Sequence, residues 1–215
     1  MGASAPSTRL EVPECDACGE LPVLDNAPTR RWYGAVRWKA SADRCKHRTV
    51  MVEPINVVVR RATPDDVPFI QLMLYEAANR PGDTWPTFVE SMNDPRNRRF
   101  WVDWPRKGDM GWIAESQASP IGAAWIRCFS GADLSPVDEP EVPVLAIGVV
   151  ADHRGQGVGG LLMDALVEAA REDGIREIAL TTGLFNEPAL RLYRRYGFTE
   201  TLRREDAVRM KATLA

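Results

Sequence analysis

The sequence predicts an α/β (α+β) fold: a mixed, mostly antiparallel sheet of about seven strands with helices on both faces. Three stretches predict it. Val142 to Val150 is a near-continuous apolar run of strand length, which turns through Ala151-Asp152-His153 and a glycine-rich segment into an apolar-periodic helix. Met110 to Glu115 and Ile121 to Phe129 are strand-like runs flanking the turn Ser116 to Pro120, which together read as an antiparallel hairpin. Beyond Gly174, a strand, a capped helix and two paired strands follow at short spacing.

Bulk properties narrow the choice. A chain of 215 residues can hold one domain with a real core, or one domain plus a tail. An apolar content of 45% is ordinary for a globular protein, and a net charge of −3 gives no reason to expect a nucleic-acid partner. No apolar run reaches membrane-spanning length, and the N-terminus lacks the basic and apolar regions of a signal peptide, so no membrane partner and a cytoplasmic location are expected. Four unevenly spaced cysteines do not form a disulfide framework.

In chain order, residues 1–52 form an N-terminal extension rich in Pro, Ala, Ser and Arg, without sustained periodicity. Cys15 and Cys18 resemble one zinc knuckle, and Cys45 with His47 could complete four ligands. The second pair is spaced too tightly for a usual knuckle, so no metal is expected and a poorly ordered tail is the plainer reading. Met51 is an alternative translation start. The domain then occupies residues 53–215. Ile55 to Arg61 is a β-branched strand. Thr63-Pro64-Asp65-Asp66 opens a helix to about Ala78, with Val67, Ile70, Leu74 and Ala77 on one face. A short helix spans Pro86 to Met92. Asn93 to Asp109 is the least regular part, with Phe100, Trp101 and Trp104 among Arg96, Arg98, Arg99, Arg106 and Lys107. The acidic overall charge favours a connection whose aromatics pack on the core while its arginines stay solvated. Cys128 falls in the second hairpin strand and reads as a small core residue. Ser130 to Pro140 is an acidic loop. After the glycine segment a helix runs to about Asp173 and stops at Gly174. Ile178 to Thr182 is a strand, Asn186 caps a helix from Glu187 to Tyr196, and Phe198 to Thr201 pairs with Ala207 to Lys211.

The strand, glycine loop and helix N-terminus together make an anion site. Glycine lets the backbone approach a ligand closely, and the first helical N–H groups have no partner inside the helix. Arg154 adds a forked donor suited to phosphate oxygens, and His153 beside it reads as a turn residue. Gly155-Gln156-Gly157-Val158-Gly159-Gly160 also satisfies the dinucleotide pattern G-x-G-x-x-G. Polar residues separate these glycines from the strand, however. No acid ends the next strand, and too little chain remains for a doubly wound sheet. A triphosphate loop is excluded because no Gly-Lys-Ser/Thr follows.

Arg154-x-x-Gly157-x-Gly159 resembles the pyrophosphate motif of the GNAT superfamily, the acyl-CoA-dependent N-acetyltransferases. Asn186-Glu187-Pro188-Ala189-Leu190-Arg191-Leu192-Tyr193-Arg194-Arg195-Tyr196-Gly197-Phe198 is similar to that family's N-x-x-A-x-x-L-Y-x-x-x-G-F signature. The resemblance covers about residues 54–213. It departs at Ala151, where relatives often carry proline. It implies a GNAT-like sheet and acetyl-CoA as co-substrate, with its pyrophosphate held by Arg154 and the backbone of Gly155, Gln156, Gly157, Val158, Gly159 and Gly160. Its pantetheine would pair with Ile147, Gly148 and Val149, where Gly148 would permit a strand kink. Asn186 matches a cofactor contact, and Tyr193 matches the tyrosine that protonates the departing thiolate. Trp101 and Trp104 fall where relatives border the acceptor cleft.

Acetyl transfer also needs a group to take the amine proton. Asp138, Glu139 and Glu141 lie just before the central strand, and Glu141 is the chosen base, against the reading that these acids merely solvate a loop. The expected activity is N-acetyltransfer from acetyl-CoA to a primary amine, on a small molecule or a protein, by direct attack in a ternary complex. The alternative is a non-catalytic acyl-CoA-binding module on the same fold. Dimerisation is common among relatives, so a homodimer stays open as a partner.

Overall fold

The computed structural model describes residues 56–78 and 86–214. The expectations for residues 1–52, including Cys15, Cys18, Cys45 and His47, lie outside the described residues.

The core of the domain is a seven-stranded sheet in the order β1-β2-β3-β4-β5-β7-β6. Its strands are β1 (Val57–Arg61), β2 (Met110–Ser116), β3 (Ser119–Arg127), β4 (Val144–Val149), β5 (Glu177–Gly183), β6 (Thr199–Arg203) and β7 (Ala207–Thr213). Every neighbouring pair is antiparallel except β4 with β5. The helices are α1 (Val67–Ala78), α2 (Phe88–Asn93), α3 (Pro95–Arg98), α4 (Val158–Glu172) and α5 (Glu187–Arg195).

Alternation along β2 and β3 divides the core into two layers. Met110, Trp112, Ala114, Ile121, Ala124 and Ile126 face one side, where Leu162, Met163 and Leu166 of α4 and Leu190 of α5 pack. Ile113, Ala123 and Trp125 face the other, against Ile70, Met73 and Leu74 of α1 and Met92 of α2. Helices therefore cover both faces. Local chemistry marks several of the helix ends. Thr63 donates its N–H and hydroxyl to the Asp66 carboxylate at 2.7 and 3.0 Å, ahead of α1. Thr87 and Glu90 form a capping box at α2 that the sequence reading did not identify. Gly174 (φ +75°) and Gly197 (φ +81°) follow α4 and α5 in the left-handed conformation that terminates helices.

Several expectations need correction. The β2–β3 turn is only Gln117-Ala118, since Ser116 pairs directly with Ser119. Both turn residues have positive φ, +50° and +60°, a conformation a two-residue hairpin requires and usually fills with Asn or Gly. Cys128 lies one residue past β3 and is exposed, so it is not a core residue. The register of β3 with β4 is unbroken from Arg127/Val144 to Gly122/Val149, so Gly148 marks no bulge. It is required instead by α1: a Cβ there would lie 2.4 Å from the Met73 carbonyl oxygen.

The arginines of the irregular segment are not all solvated. Arg99 donates to the Asp138 carboxylate and, at 2.8 Å, to the Asp133 carbonyl. Asp138, with its side chain 1% exposed, also accepts from Arg209 of β7 at 3.2 Å. Arg127 is fully buried. It donates to Asp109 at 2.9 and 2.5 Å and to the carbonyls of Arg99 and Val102 at 2.9 and 2.8 Å. A buried charge persists only when paired and hydrogen-bonded in this way, and removing one partner of such a pair typically costs about 3–5 kcal/mol. These bonds fasten the irregular segment and the loop before β4 over the Arg127–Val144 end of the sheet. No helix among the described residues is long and apolar enough to cross a membrane.

Candidate functional site

The site starts from a defect in the sheet. β4 and β5 are paired only at Val144/Ala179, where the Ala179 N–H reaches the Pro143 carbonyl at 2.9 Å. Beyond that bridge the two strands diverge. In an antiparallel pair, successive residues direct their backbone groups to opposite sides. The Val150 N–H bonds to Ile121 of β3 at 2.9 Å, so Ile147 and Val149 turn theirs toward the opening. The sequence-predicted trio Ile147, Gly148 and Val149 therefore divides. Ile147 turns its backbone donor and acceptor to the opening and Val149 its donor, the Val149 carbonyl being taken by Arg154, whereas Gly148 faces β3 and carries α1 against its open side.

The opening ends at the glycine loop. A short 3-10 turn (Ala151–His153) leads into Arg154, and Gly155 (φ +73°) and Gly157 (φ +88°) take left-handed conformations that place Gly157 as the N-cap of α4. Gly160 and Leu161 donate back to the Gly157 carbonyl at 2.9 and 3.2 Å. Among the described residues, nothing accepts from the N–H groups of Gly155, Gln156, Gly157, Val158 or Gly159. Five successive free donors at a helix N-terminus form a strong anion cradle. The Gln156 side chain folds onto the Asp152 carbonyl at 2.8 Å and braces the loop. Val158 is 1% exposed, so its side chain belongs to the core and only its backbone serves the loop.

Arg154 is already engaged. Its Nε donates to the Val149 carbonyl at 2.9 Å and its Nη2 to the Glu76 carboxylate of α1 at 2.9 Å, which ties the loop to the helix on the opposite face. The sequence reading missed Glu76, whose only sequence-level signal is a charge near the end of α1.

Across the opening stands α5. Asn186 caps it by accepting from Ala189 N–H at 3.3 Å with Oδ1, and no acceptor is recorded for its Nδ2. Tyr193 is 7% exposed and its ring packs on Phe198 with centroids 5.8 Å apart. Its hydroxyl has no hydrogen-bond partner among the described residues. Burial pushes the phenol well above its ordinary value, so it holds its proton throughout the neutral range. Tyr196 is a connector instead. Its hydroxyl donates to Asp164 at 2.5 Å and lies 2.9 Å from the Gly160 carbonyl, locking α5 to the first turns of α4.

The three acids before β4 differ. Asp138 is fixed between Arg99 and Arg209. Burial opposes its ionisation, but hydrogen bonds from Arg99 and Ser135 outweigh that and hold its carboxyl below the usual range. Glu139 pairs with Lys211 at 3.3 Å. Glu141 is exposed and has no recorded partner. Trp104 is 6% exposed within the α1-side core, and Trp101 packs against the same layer. Trp104 thus lies beneath the surface rather than forming an open wall. The Nε1–H groups of both tryptophans are buried without a partner among the described residues.

Comparison with known proteins agrees with this arrangement. Residues 75–198 match the model of the acetyltransferase (GNAT) family. The chain is 30% identical over 138 residues to N-acetyltransferase 8 of Mus musculus, which covers 62% of this chain and 56% of that protein. It is 28% identical over 162 residues to an uncharacterized N-acetyltransferase of Methanocaldococcus jannaschii, covering 73% and 68%. The chain spans roughly half the length of the first mammalian relatives it matches. Among solved structures, ribosomal-protein-alanine N-acetyltransferase from Brucella melitensis superposes with a TM-score of 0.56 at 24% identity, over 73% of this chain and 99% of that one. An N-acetyltransferase of Thermoplasma acidophilum in complex with coenzyme A gives 0.57 at 12% identity, over 74% and 99%. With a family model matching more than half of it and a sheet of the same architecture, this chain belongs to the GNAT family of acetyltransferases.

Proposed function

We propose that the protein transfers the acetyl group of acetyl-CoA to a primary amine, by direct attack in a ternary complex. The observation that carries this reading is the β4–β5 opening, edged by the backbone of Ile147 and Val149 and closed at one end by the free N–H groups of residues 155–159. Those features suit one extended ligand with an anionic end and an amide-bearing arm. Acetyl-CoA has both, and supplies the thioester from which the acetyl group leaves.

In this reading the loop N–H groups bind the pyrophosphate and Arg154 lends its charge beside them. Ile147 and Val149 pair with the pantetheine amides as a strand would, and the Asn186 Nδ2 donates to a carbonyl of the arm. Tyr193 keeps its proton until a thiolate forms and then donates it. The burial that raises the phenol also raises the basicity of a thiolate formed beside it above the ordinary thiol value near 8.5, so donor and acceptor shift in the same direction. Glu141 accepts the amine proton through water. It lies at the Val144 end of β4, opposite the glycine loop, and of the three acids there it alone has no cation to restrain it.

Calorimetric titration with acetyl-CoA tests the first half, with NADH as control. Saturable binding of acetyl-CoA alone is expected, followed by thiol release when a panel of amines is added. Binding of NADH in preference, or failure of acetyl-CoA to bind at all, would overturn the assignment. Tight binding with no amine ever consumed would favour a non-catalytic acyl-CoA module instead.

A further inference from the structure

The irregular segment between α2 and β2 carries a feature that acetyl-CoA binding does not use. A cavity of about 340 Å³ is lined by Pro95, Arg98, Arg99, Val102, Arg106 and Asp133, with Asp103 at its edge. Three guanidinium groups therefore face two carboxylates. Arg106 is satisfied by Asp133 at 2.8 Å and by the Val102 carbonyl at 3.4 Å. Arg99 uses Nη1 on Asp138 and the Asp133 carbonyl, and Nε on the Arg96 carbonyl, which leaves Nη2 without a recorded acceptor. Arg98 is exposed and has no hydrogen-bond or ion-pair partner among the described residues. Beneath the cavity, Asp138 is shared with Arg209, whose own Nη2 is buried with no partner among the described residues. Summed over Arg98, Arg99, Arg106 and Arg209 against Asp103, Asp133 and Asp138, the group keeps one positive charge in excess, within a chain whose net charge is −3. Among the neighbouring pairs, Arg127 balances Asp109 and Arg96 balances Asp94, whereas Lys211 stands between Glu139 and Glu177 and leaves one negative charge on the β5–β7 side.

Its position gives the excess charge a meaning. The carbonyls of Arg99 and Val102 rest on the Arg127 guanidinium, and Arg127 pairs in register with Val144. The cavity thus sits over the end of β3 at the first residue of β4, near Glu141 and opposite the glycine loop. A six-residue strand spans about 17–20 Å, so a ligand anchored at residues 155–159 and laid along β4 brings its acyl end toward this region.

We propose that this arginine-lined cavity binds an anionic group of the acceptor, so that the natural acceptor is an amine bearing a carboxylate or phosphate. The site rests on the acetyl-transfer reading above. Arg98 and the free Nη2 of Arg99 supply the forked donors, and Arg106 with Asp133 fixes the wall.

The test pairs acceptors that differ only in charge, glutamate with glutamine and aspartyl with asparaginyl dipeptides, in a thiol-release assay on the full chain. Arg98 is chosen for substitution because it supports no other side chain. The acidic member of each pair is expected to have the lower KM, and Arg98→Gln to raise that KM about tenfold while leaving KM for the neutral member and for acetyl-CoA unchanged. A loss shared equally by both members, or no preference in the parent protein, overturns the proposal while leaving acetyl transfer intact. A second arm is independent of turnover: succinate is titrated by NMR into protein saturated with coenzyme A, following the arginine side-chain resonances. Shifts that disappear in Arg98→Gln support the site even if no amine is acetylated, in which case it is the transferase reading that fails. No shift in the parent overturns the site.

Discussion

Tyr193→Phe separates a structural tyrosine from a chemical one. The ring is 7% exposed and packs on Phe198, and phenylalanine keeps all of that contact. The hydroxyl that is lost donates to nothing within the described residues, so no buried partner is stranded. An intramolecular hydrogen bond to it would have contributed about 0.5–1.5 kcal/mol; here that contribution is absent, and the variant should match the parent's stability within about 0.5 kcal/mol or exceed it slightly. Catalysis responds differently. A positioned general acid is typically worth roughly 10²- to 10⁴-fold, and a thiolate is a tolerable leaving group even unassisted, which sets the expectation at the lower end, a fall of about 100-fold in kcat. Acetyl-CoA affinity should be unchanged. Urea denaturation, calorimetry and steady-state thiol release measure the three quantities. An unaltered kcat would refute the donor role. A stability loss beyond about 1.5 kcal/mol would refute the premise that the hydroxyl is unpartnered.

Three further outcomes follow from the geometry. Gly148→Ala places a methyl carbon 2.4 Å from the Met73 carbonyl, about an ångström inside ordinary contact, and Met73 is fully buried; the urea midpoint should fall by the equivalent of about 2–3 kcal/mol, and an unchanged midpoint would show that α1 is free to lift. Arg154→Gln should weaken coenzyme A at least about tenfold by calorimetry, whereas Glu76→Gln should not weaken it and should alter stability by less than about 1 kcal/mol, because that ion pair is largely exposed. Burial raises the Tyr193 phenol, and burial with the Asp164 carboxylate raises Tyr196 to about 12, both above the unfolded value near 10. The unfolded chain therefore loses these protons first. Their contribution is intact below pH 10 and declines as pH rises beyond it, so ultraviolet titration should show two tyrosines ionising late, with unfolding promoted over the same range.

The elements most legible in the sequence were those announced by local chemistry. α4 and α5 were bounded by Gly157, Gly174, Asn186 and Gly197, whose roles depend on neighbours a few residues away. The glycine loop was legible for the same reason. What local reasoning could not reach were contacts distant in sequence. The partners of Arg99 lie 34 and 39 residues away and those of Asp138 as far as 71, so nothing near Arg99 marks it as a clasp rather than a solvated charge. Gly148 was expected to permit a kink, and what it permits is the close backbone approach of α1, whose Met73 lies 75 residues upstream. Gln117-Ala118 hid a tight turn because neither residue is of the type that such turns favour. Within the candidate site, Ile147, Val149 and the backbone of residues 155–159 border one opening. The irregular segment proposed to face the acceptor was less legible because it has no periodicity to read.

The single bridge between β4 and β5 also has a mechanical side. β1 to β4 and β5 to β7 form two panels that meet at one corner, Val144 with Ala179, so the sheet is stiff within each panel and compliant along the seam between them. A molecule bound in the seam acts as an inserted rib, joining one panel's edge to the glycine loop and removing that compliance. Ligand at 100 times its dissociation constant would raise the unfolding free energy by about 2.7 kcal/mol. The gain should be uneven, with amide exchange slowing most at Ile147 and Val149 and least in the outer strand β6, which makes the seam the most ligand-sensitive line in the molecule.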